Sequence, residues 1–286
     1  MATYLPPALR PWRALRGATR PIGDATVRLG HQGVVFAEAV LAIPFVLRHY
    51  RKEVVRLIVD VTWGNGALVV GGGTVGVVLI LCGFGGVTVG MESHTALDLL
   101  TMSPLTGAIS GFATTRELAP LLATIAFAAQ AGCRFTAQIG SMRIAEEIDA
   151  LESMAIRPLP YLVTTRMLAA AVAILPLYSI GMATAYLTTK VTVFFLGGTG
   201  LGTYDHYFHQ FLDPGDIVYS VLKAVAFVLV ATFIQCHVGY LAAGGPEGVG
   251  VAAGRAIKST IIVVVFLNLL LTLAIWGVDP GIRISG

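Results

Sequence analysis

The chain has 286 residues, 56% hydrophobic and 12% charged, with a mean hydropathy of +0.79. An ordinary soluble domain is about 25% charged, so a water-soluble globule is excluded and a polytopic membrane protein is indicated. The net charge is only +3, and the basic residues gather in an N-terminal block instead of along one helical face, which argues against a nucleic-acid partner.

Residues 1–30 form a basic tail. No signal peptide is expected, because the first apolar stretch follows about thirty Arg- and Pro-containing residues and no small-residue cleavage site precedes a mature domain. Residues 31–66 read as an interfacial region. Its apolar stretch, Gly33 to Leu47, is only about 15 residues long, contains Glu38 and Pro44, and leads into Arg48, Arg51, Lys52 and Arg56. That is short for spanning and suits a helix lying in the membrane interface.

Residues 67–286 read as the membrane domain. A helix needs roughly 20 apolar residues to cross the hydrocarbon. With charges taken as boundaries, five spans are predicted: Ala67 to Gly90, Leu118 to Ile139 around Arg134, Met167 to Leu187, Ile217 to Ala243 with Lys223 and His237, and Ser259 to Val278. Nine Lys or Arg residues precede the first span. Five more (Arg143, Arg157, Arg166, Arg255, Lys258) fall in the second and fourth loops, against Arg116, Lys190 and Arg283 on the other side. The positive-inside rule then places the N-terminus in the cytoplasm and the C-terminus outside.

The Gly-rich run Gly71 to Gly76 lacks the Lys-Ser/Thr pair of a phosphate loop. Its Gly72/Gly76 step, like Gly86/Gly90, suits close helix packing. No nucleotide-hydrolysing motif is recognised in the sequence. Cys82, Cys133 and Cys236 lack CxxC spacing and read as packing residues.

The second loop holds a compact acidic segment, about residues 141–157. Ile144, Ile148, Leu151 and Met154 form an apolar stripe, Glu146, Glu147, Asp149 and Glu152 decorate the rest, and Arg157-Pro158 marks the stop. Four carboxylates facing an anionic cytoplasmic leaflet would be repelled, so a basic protein groove is the better host.

The stretch Arg116-Glu117-Leu118-Ala119-Pro120, then Ile139 to Met142, then Glu146-Glu147-Ile148-Asp149-Ala150-Leu151 and Met154, closely resembles the MlaE/YrbE family of ABC-transporter permeases. Pro246-Glu247-Gly248-Val249-Gly250 and Leu269-Leu270-Leu271-Thr272 match the same pattern. The resemblance implies an all-α permease with an interfacial N-terminal helix, five transmembrane helices and a cytoplasmic coupling helix, in the bacterial plasma membrane. It implies a lipid substrate, a second permease, two ATPase subunits that bind ATP and Mg and engage Glu146, Glu147, Asp149, Leu151 and Glu152, and a hexamer of MCE proteins on the outer side. No cofactor or metal is expected in this chain itself, nor enzymatic activity.

Three departures point to the B-type YrbE subunits of actinobacterial Mce systems, and so to a heterodimer. Gln130 to Arg134 replaces a Gly-Arg-Val-Gly-type run, Thr165-Arg166 replaces Pro-Arg, and Asn268 stands where an acidic residue is common.

Arg116 and Glu117 are expected just outside the second span, either as a boundary salt bridge or near an outward lipid cavity, with Leu81, Phe84 and Val87 as candidate lining. Glu247 and Gly248 fall in the last cytoplasmic loop. Arg134 and Lys223 are expected to snorkel or pair across helices, and His237 to pack. In the third loop Tyr204, Asp205, His206, Tyr207, Phe208, His209 and Asp213 could hold zinc, but such aromatic density better suits an interfacial belt, and an outward helix contacting the MCE ring is preferred. The alternatives are a secondary transporter or channel, disfavoured by the scarcity of mid-membrane ionisable groups, and an intramembrane enzyme, for which no nucleophile-base or metal constellation stands out.

Overall fold

The computed structural model describes residues 30, 32–63, 73–196 and 200–277, and no strand occurs among them. The basic tail, Gly71, Gly72, Arg283 and the rest of the C-terminal segment lie outside the described residues. Two short helices, α1 (Gln32–Leu41) and α2 (Ile43–His49), meet at 44°. The bend falls where Pro44, within the first turn of α2, cannot donate a backbone hydrogen bond. Helix α1 is docked on the bundle: Ala39 is buried, the Thr164 hydroxyl donates to its carbonyl at 3.0 Å, and the rings of Phe36 and Phe233 meet edge-on at 5.1 Å. Helix α3 (Arg51–Trp63) follows.

Five helices are long and apolar enough to cross a membrane: α4 (Gly73–Asp98), α5 (Ser103–Ile144), α7 (Leu159–Leu196), α9 (Pro214–Tyr240) and α10 (Gly245–Trp276). A sixth would be counted only if the bent α1–α2 pair were a single span. Between them lie α6 (Glu147–Ser153) and α8 (Leu201–Phe211). The number of spans agrees with the sequence reading and their limits do not. Arg116, Glu117, Arg166 and Lys190, treated as boundaries, all sit inside helices, so α5 and α7 extend well beyond the uncharged runs.

Small residues set the closest approach. A methyl on Gly86 would lie 2.3 Å from the Ala185 carbonyl, and the Thr189 hydroxyl donates to the Gly86 carbonyl at 2.9 Å. The Gly86/Gly90 step therefore packs α4 against α7 of the same chain. Cys82 and Cys236 are buried, Cys133 is half-buried and all three are free, in keeping with packing roles. Wide π-helical turns interrupt α5 at Ser110–Leu118 and Ala128–Gly132, and one opens α7 at Leu159–Thr164. Helix α10 is the least enclosed span, with 11% of its most apolar window buried.

Candidate functional site: an ion-pair centre and an acidic turn

The first π-helical stretch of α5 presents Arg116 and Glu117 to two different neighbours. Arg116 Nε donates to Asp216 Oδ2 at 2.7 Å, and its guanidinium lies 4.2 Å from the Phe112 ring and 5.1 Å from the Trp276 ring. The other oxygen of Asp216 accepts from Trp276 Nε1 at 2.8 Å. Asp216 is fixed by the start of α9, where Asp213 caps Gly215 N at 2.9 Å and Pro214 occupies the first turn.

Glu117 turns toward α9 and α10. Asn268 Nδ2 donates to one carboxylate oxygen at 2.6 Å, and the other accepts from the Thr272 hydroxyl and from Lys223 Nζ at 3.3 Å. Lys223 is buried and also donates to the Arg116 carbonyl at 2.7 Å and to Thr272 Oγ1 at 2.6 Å. Two cations thus face two anions, and the cluster is neutral. Asn268 supplies an amide donor where an acid would have set a second carboxylate against Glu117. This centre replaces the expected boundary salt bridge. It also corrects the expectation that ionisable groups inside the bundle are scarce, since all four sit in the long helices.

Glu117 reaches into a groove of about 740 Å³ on α10, lined by Ile261, Val265, Phe266, Asn268 and Leu269. Leu81, Phe84 and Val87 do not line it. Helix α4 meets α5 on another side, where Gly85 abuts Leu118 and Leu122. Phe84 faces outward, and Leu81 and Val87 are half-buried.

At the other end of α5 the chain breaks at Glu146, whose φ of 57° is left-handed, and α6 begins at Glu147. The expected single stripe is therefore split. Ile148 is fully buried and Leu151 packs on the core, whereas Ile144 and Met154 are exposed. Glu146, Glu147, Asp149 and Glu152 are all exposed, and Asp149 is held by Arg143 Nη1 at 2.7 Å across the corner. At the same end, Gly244 and Gly245 take positive φ where the chain turns into α10. A methyl on Gly248 would lie 1.9 Å from the Ala243 carbonyl, so this turn tolerates no side chain there. Glu247 is exposed on the first turn of α10, beside a groove of about 1090 Å³ that also touches His237 and Arg255.

Helix α8 caps the Arg116 end. Tyr204 is buried and its hydroxyl donates to Ser110 Oγ at 2.8 Å; burial pushes its phenol up to about 12. Asp205 pairs with Lys190 at 2.8 Å, and His209 Nδ1 bonds the Asp205 carbonyl at 2.8 Å. No group of three potential metal ligands occurs among the described residues. Arg134 pairs with Asp60 on α3 through two contacts of 2.9 and 3.0 Å, so both Arg134 and Lys223 bridge helices. His237 stacks on Phe233 at 5.7 Å. Asp60 and Asp216 escaped the sequence reading, Thr272 entered only as part of the Leu269 to Thr272 match, and Asn268 was noticed only as a departure. Asp216 had one signal, its place three residues after an Asp-Pro helix start.

A multi-helix apolar bundle with a paired ionic centre near one end and an exposed acidic turn at the other defines an integral membrane protein. Comparison with known proteins specifies it. The family described as Permease MlaE matches residues 64–274. A probable ABC transporter permease protein of Rickettsia prowazekii is 29% identical over 198 residues, covering 66% of this chain and 73% of that protein. Its counterpart in Rickettsia felis is 30% identical over 193 residues with the same coverage. The chloroplastic protein Trigalactosyldiacylglycerol 1 of Arabidopsis thaliana is 27% identical over 193 residues, 66% of this chain and 54% of that one. The chain belongs to the MlaE family of ABC-transporter permeases, a permease family and not an enzyme family.

Proposed function

We propose that this chain is the permease subunit of an MCE-associated ABC transporter that moves lipid across a bacterial cell envelope, driven by ATP hydrolysis in a separate subunit. One observation carries the reading. Glu117, held by Lys223, Asn268 and Thr272, is the single ionised side chain in an otherwise largely aliphatic groove on α10. A polar point within apolar walls fits an amphiphile better than an ion or a soluble solute. That a homologue bears a glycolipid in its name supports the same class.

In this reading the exposed face of α10 meets a second YrbE-type permease, and the lipid sits between the two, with the Arg116 end outward beneath an MCE hexamer. Helices α1 and α2 lie in the interface, their exposed Leu41, Phe45 and Leu47 toward the acyl region, with Arg48 and, at the start of α3, Arg51 and Lys52 toward headgroups. The exposed carboxylates of Glu146, Glu147 and Glu152 meet a basic groove of the ATPase, with Ile148 and Leu151 anchoring the turn to the bundle. Gly248 and Glu247 border the same surface.

The test is affinity purification of the full chain from its native membrane with lipid mass spectrometry. Recovery of an ATPase, a second permease and bound lipid is expected. Ionised groups inside the bundle, Arg116, Glu117, Asp216 and Lys223 among them, are also what a secondary transporter would use. Recovery of lipid-free chain active without an ATPase would overturn the proposal in favour of that alternative.

A further inference from the structure

Arg166 sits in the first part of α7, at the α6 end of the bundle and far along the chain from the Glu117 centre. It is only 8% exposed. Its Nη1 donates to the Leu162 carbonyl at 2.8 Å, its Nη2 reaches Gln138 Oε1 at a marginal 3.5 Å, and its Nε has no partner. The Phe135 ring lies 5.7 Å from the guanidinium carbon. A guanidinium carries five N–H donors, and burying one without a counter-charge is costly.

Glu53 attracts it at longer range, but no carboxylate forms an ion pair with it. Arg166 lines a cavity of about 940 Å³ between α3, α5 and α7, whose charged lining is Glu53, Arg56, Asp60, Arg134 and Arg166. Glu53 is taken by Arg56 at 3.1 Å, and Asp60 by Arg134 at 2.9 Å. Three guanidiniums against two carboxylates leave one positive charge, and the pairing assigns it to Arg166. The unused donors and the unbalanced charge call for a monoanion with several acceptor oxygens, the chemistry of a phosphate diester.

The walls of the cavity choose the source. Val55 and Val59, on the same amphipathic α3 as Glu53 and Asp60, line it while remaining 60% and 56% exposed. An anion site flanked by exposed aliphatic side chains suits a headgroup whose acyl chains run along the protein, and a free phosphate would leave those valines uncovered. We propose that this cavity binds the phosphodiester headgroup of an anionic phospholipid, with Arg166 as its principal ligand. The site is separate from the groove at Glu117 and does not depend on what the permease transports.

Two variants of the full-length chain test it, each purified with its co-purifying partners and titrated with phosphatidylglycerol under native mass spectrometry. Arg166→Gln removes the ligand. Gln138→Glu leaves Arg166 in place and gives it an internal carboxylate, so the fold is preserved while the anion is displaced. Both should lose one phosphatidylglycerol per chain and need about tenfold more lipid for equal occupancy, and a photo-reactive residue at position 55 should capture phospholipid. Wild-type lipid retention in Gln138→Glu would overturn the site. Displacement of the lipid by millimolar inorganic phosphate would overturn its assignment to a lipid in favour of the free anion. Capture of an ATPase subunit at position 55 instead of lipid would show that protein fills the cavity.

Discussion

The ammonium of Lys223 lies 3.3 Å from a Glu117 carboxylate oxygen, with the lysine side chain fully enclosed and the glutamate side chain 38% exposed. One end of the ion pair is sealed in the bundle and the other opens on the α10 groove. Removing the open end leaves the sealed cation without its charge partner. Glu117→Gln should therefore lower stability by about 3 kcal/mol, the lower end for a broken buried pair. The double variant Glu117→Gln with Lys223→Met should recover most of that loss. Thermal unfolding in detergent reads both, and equal unfolding of Glu117→Gln and wild type would show that the pair is not structural.

Two glycines on one helix separate packing from composition. At Gly86 a methyl would meet the Ala185 carbonyl at 2.3 Å, a backbone atom that cannot rotate away, whereas at Gly83 its nearest neighbours are threonine methyls at 3.6 and 3.7 Å. Gly86→Ala should cost about 1–3 kcal/mol or more, and Gly83→Ala should be near neutral or stabilising, because alanine is the better helix former. A matched pair of melting curves decides it. Equal melting of the two variants would mean that α4 and α7 are not in this register.

Charge reversal at Glu147, exposed at the start of α6, should release the ATPase subunit while the permease stays folded, since a like charge in a complementary interface costs several kcal/mol. Asp149→Lys alone would be ambiguous, because it also breaks the Arg143 contact at 2.7 Å. The measurement is the ratio of ATPase to permease after purification of Glu147→Lys. An unchanged ratio would place the coupling surface elsewhere.

Photo-reactive residues distinguish the two candidate lipid routes. Leu269 borders the Glu117 groove and Phe84 projects from α4 without touching it. Capture of lipid at position 269 should exceed that at position 84 several-fold. The reverse ratio would move the route to α4.

Tyr204 predicts a pH response. Its folded-state phenol is raised to about 12 by burial, above the ordinary value near 10. The folded state therefore favours the protonated form, so this contribution to stability is complete below about pH 10 and is lost as pH rises through about 12. The ultraviolet phenolate titration of wild type minus that of Tyr204→Phe should show one tyrosine ionising late. A difference curve centred near 10 would mean that α8 does not enclose Tyr204.

The existence of five spans was legible because runs such as Val75 to Gly90 have no other use at that hydropathy. Their ends were not. Arg116 finds Asp216 one hundred positions away and Arg134 finds Asp60 seventy-four positions away, so a charge that looks like a boundary locally is neutralised by a partner no sequence window contains. The acidic turn was legible as composition, while its geometry was hidden by Glu146, whose left-handed backbone breaks the phase linking Ile144 to Ile148. Of the candidate site, Arg116 and Glu117 could be named from the motif, but their divergence toward α9 and α10 follows from the three-dimensional packing around the wide turn they occupy.

The three π-helical stretches decide where a change of length can be absorbed. An α-helix advances about 100° per residue, whereas a widened turn holds extra chain that a regular helix would exclude. Deleting a single residue from Ser110–Leu118 would let that stretch close into regular helix while the parts of α5 on either side kept their facing. Arg116 and Glu117, inside the stretch, could then no longer reach Asp216 and Asn268 at once. The same deletion in the regular stretch Ala119–Phe127 would instead swing the rest of α5 by about 100° and turn Arg134 away from Asp60.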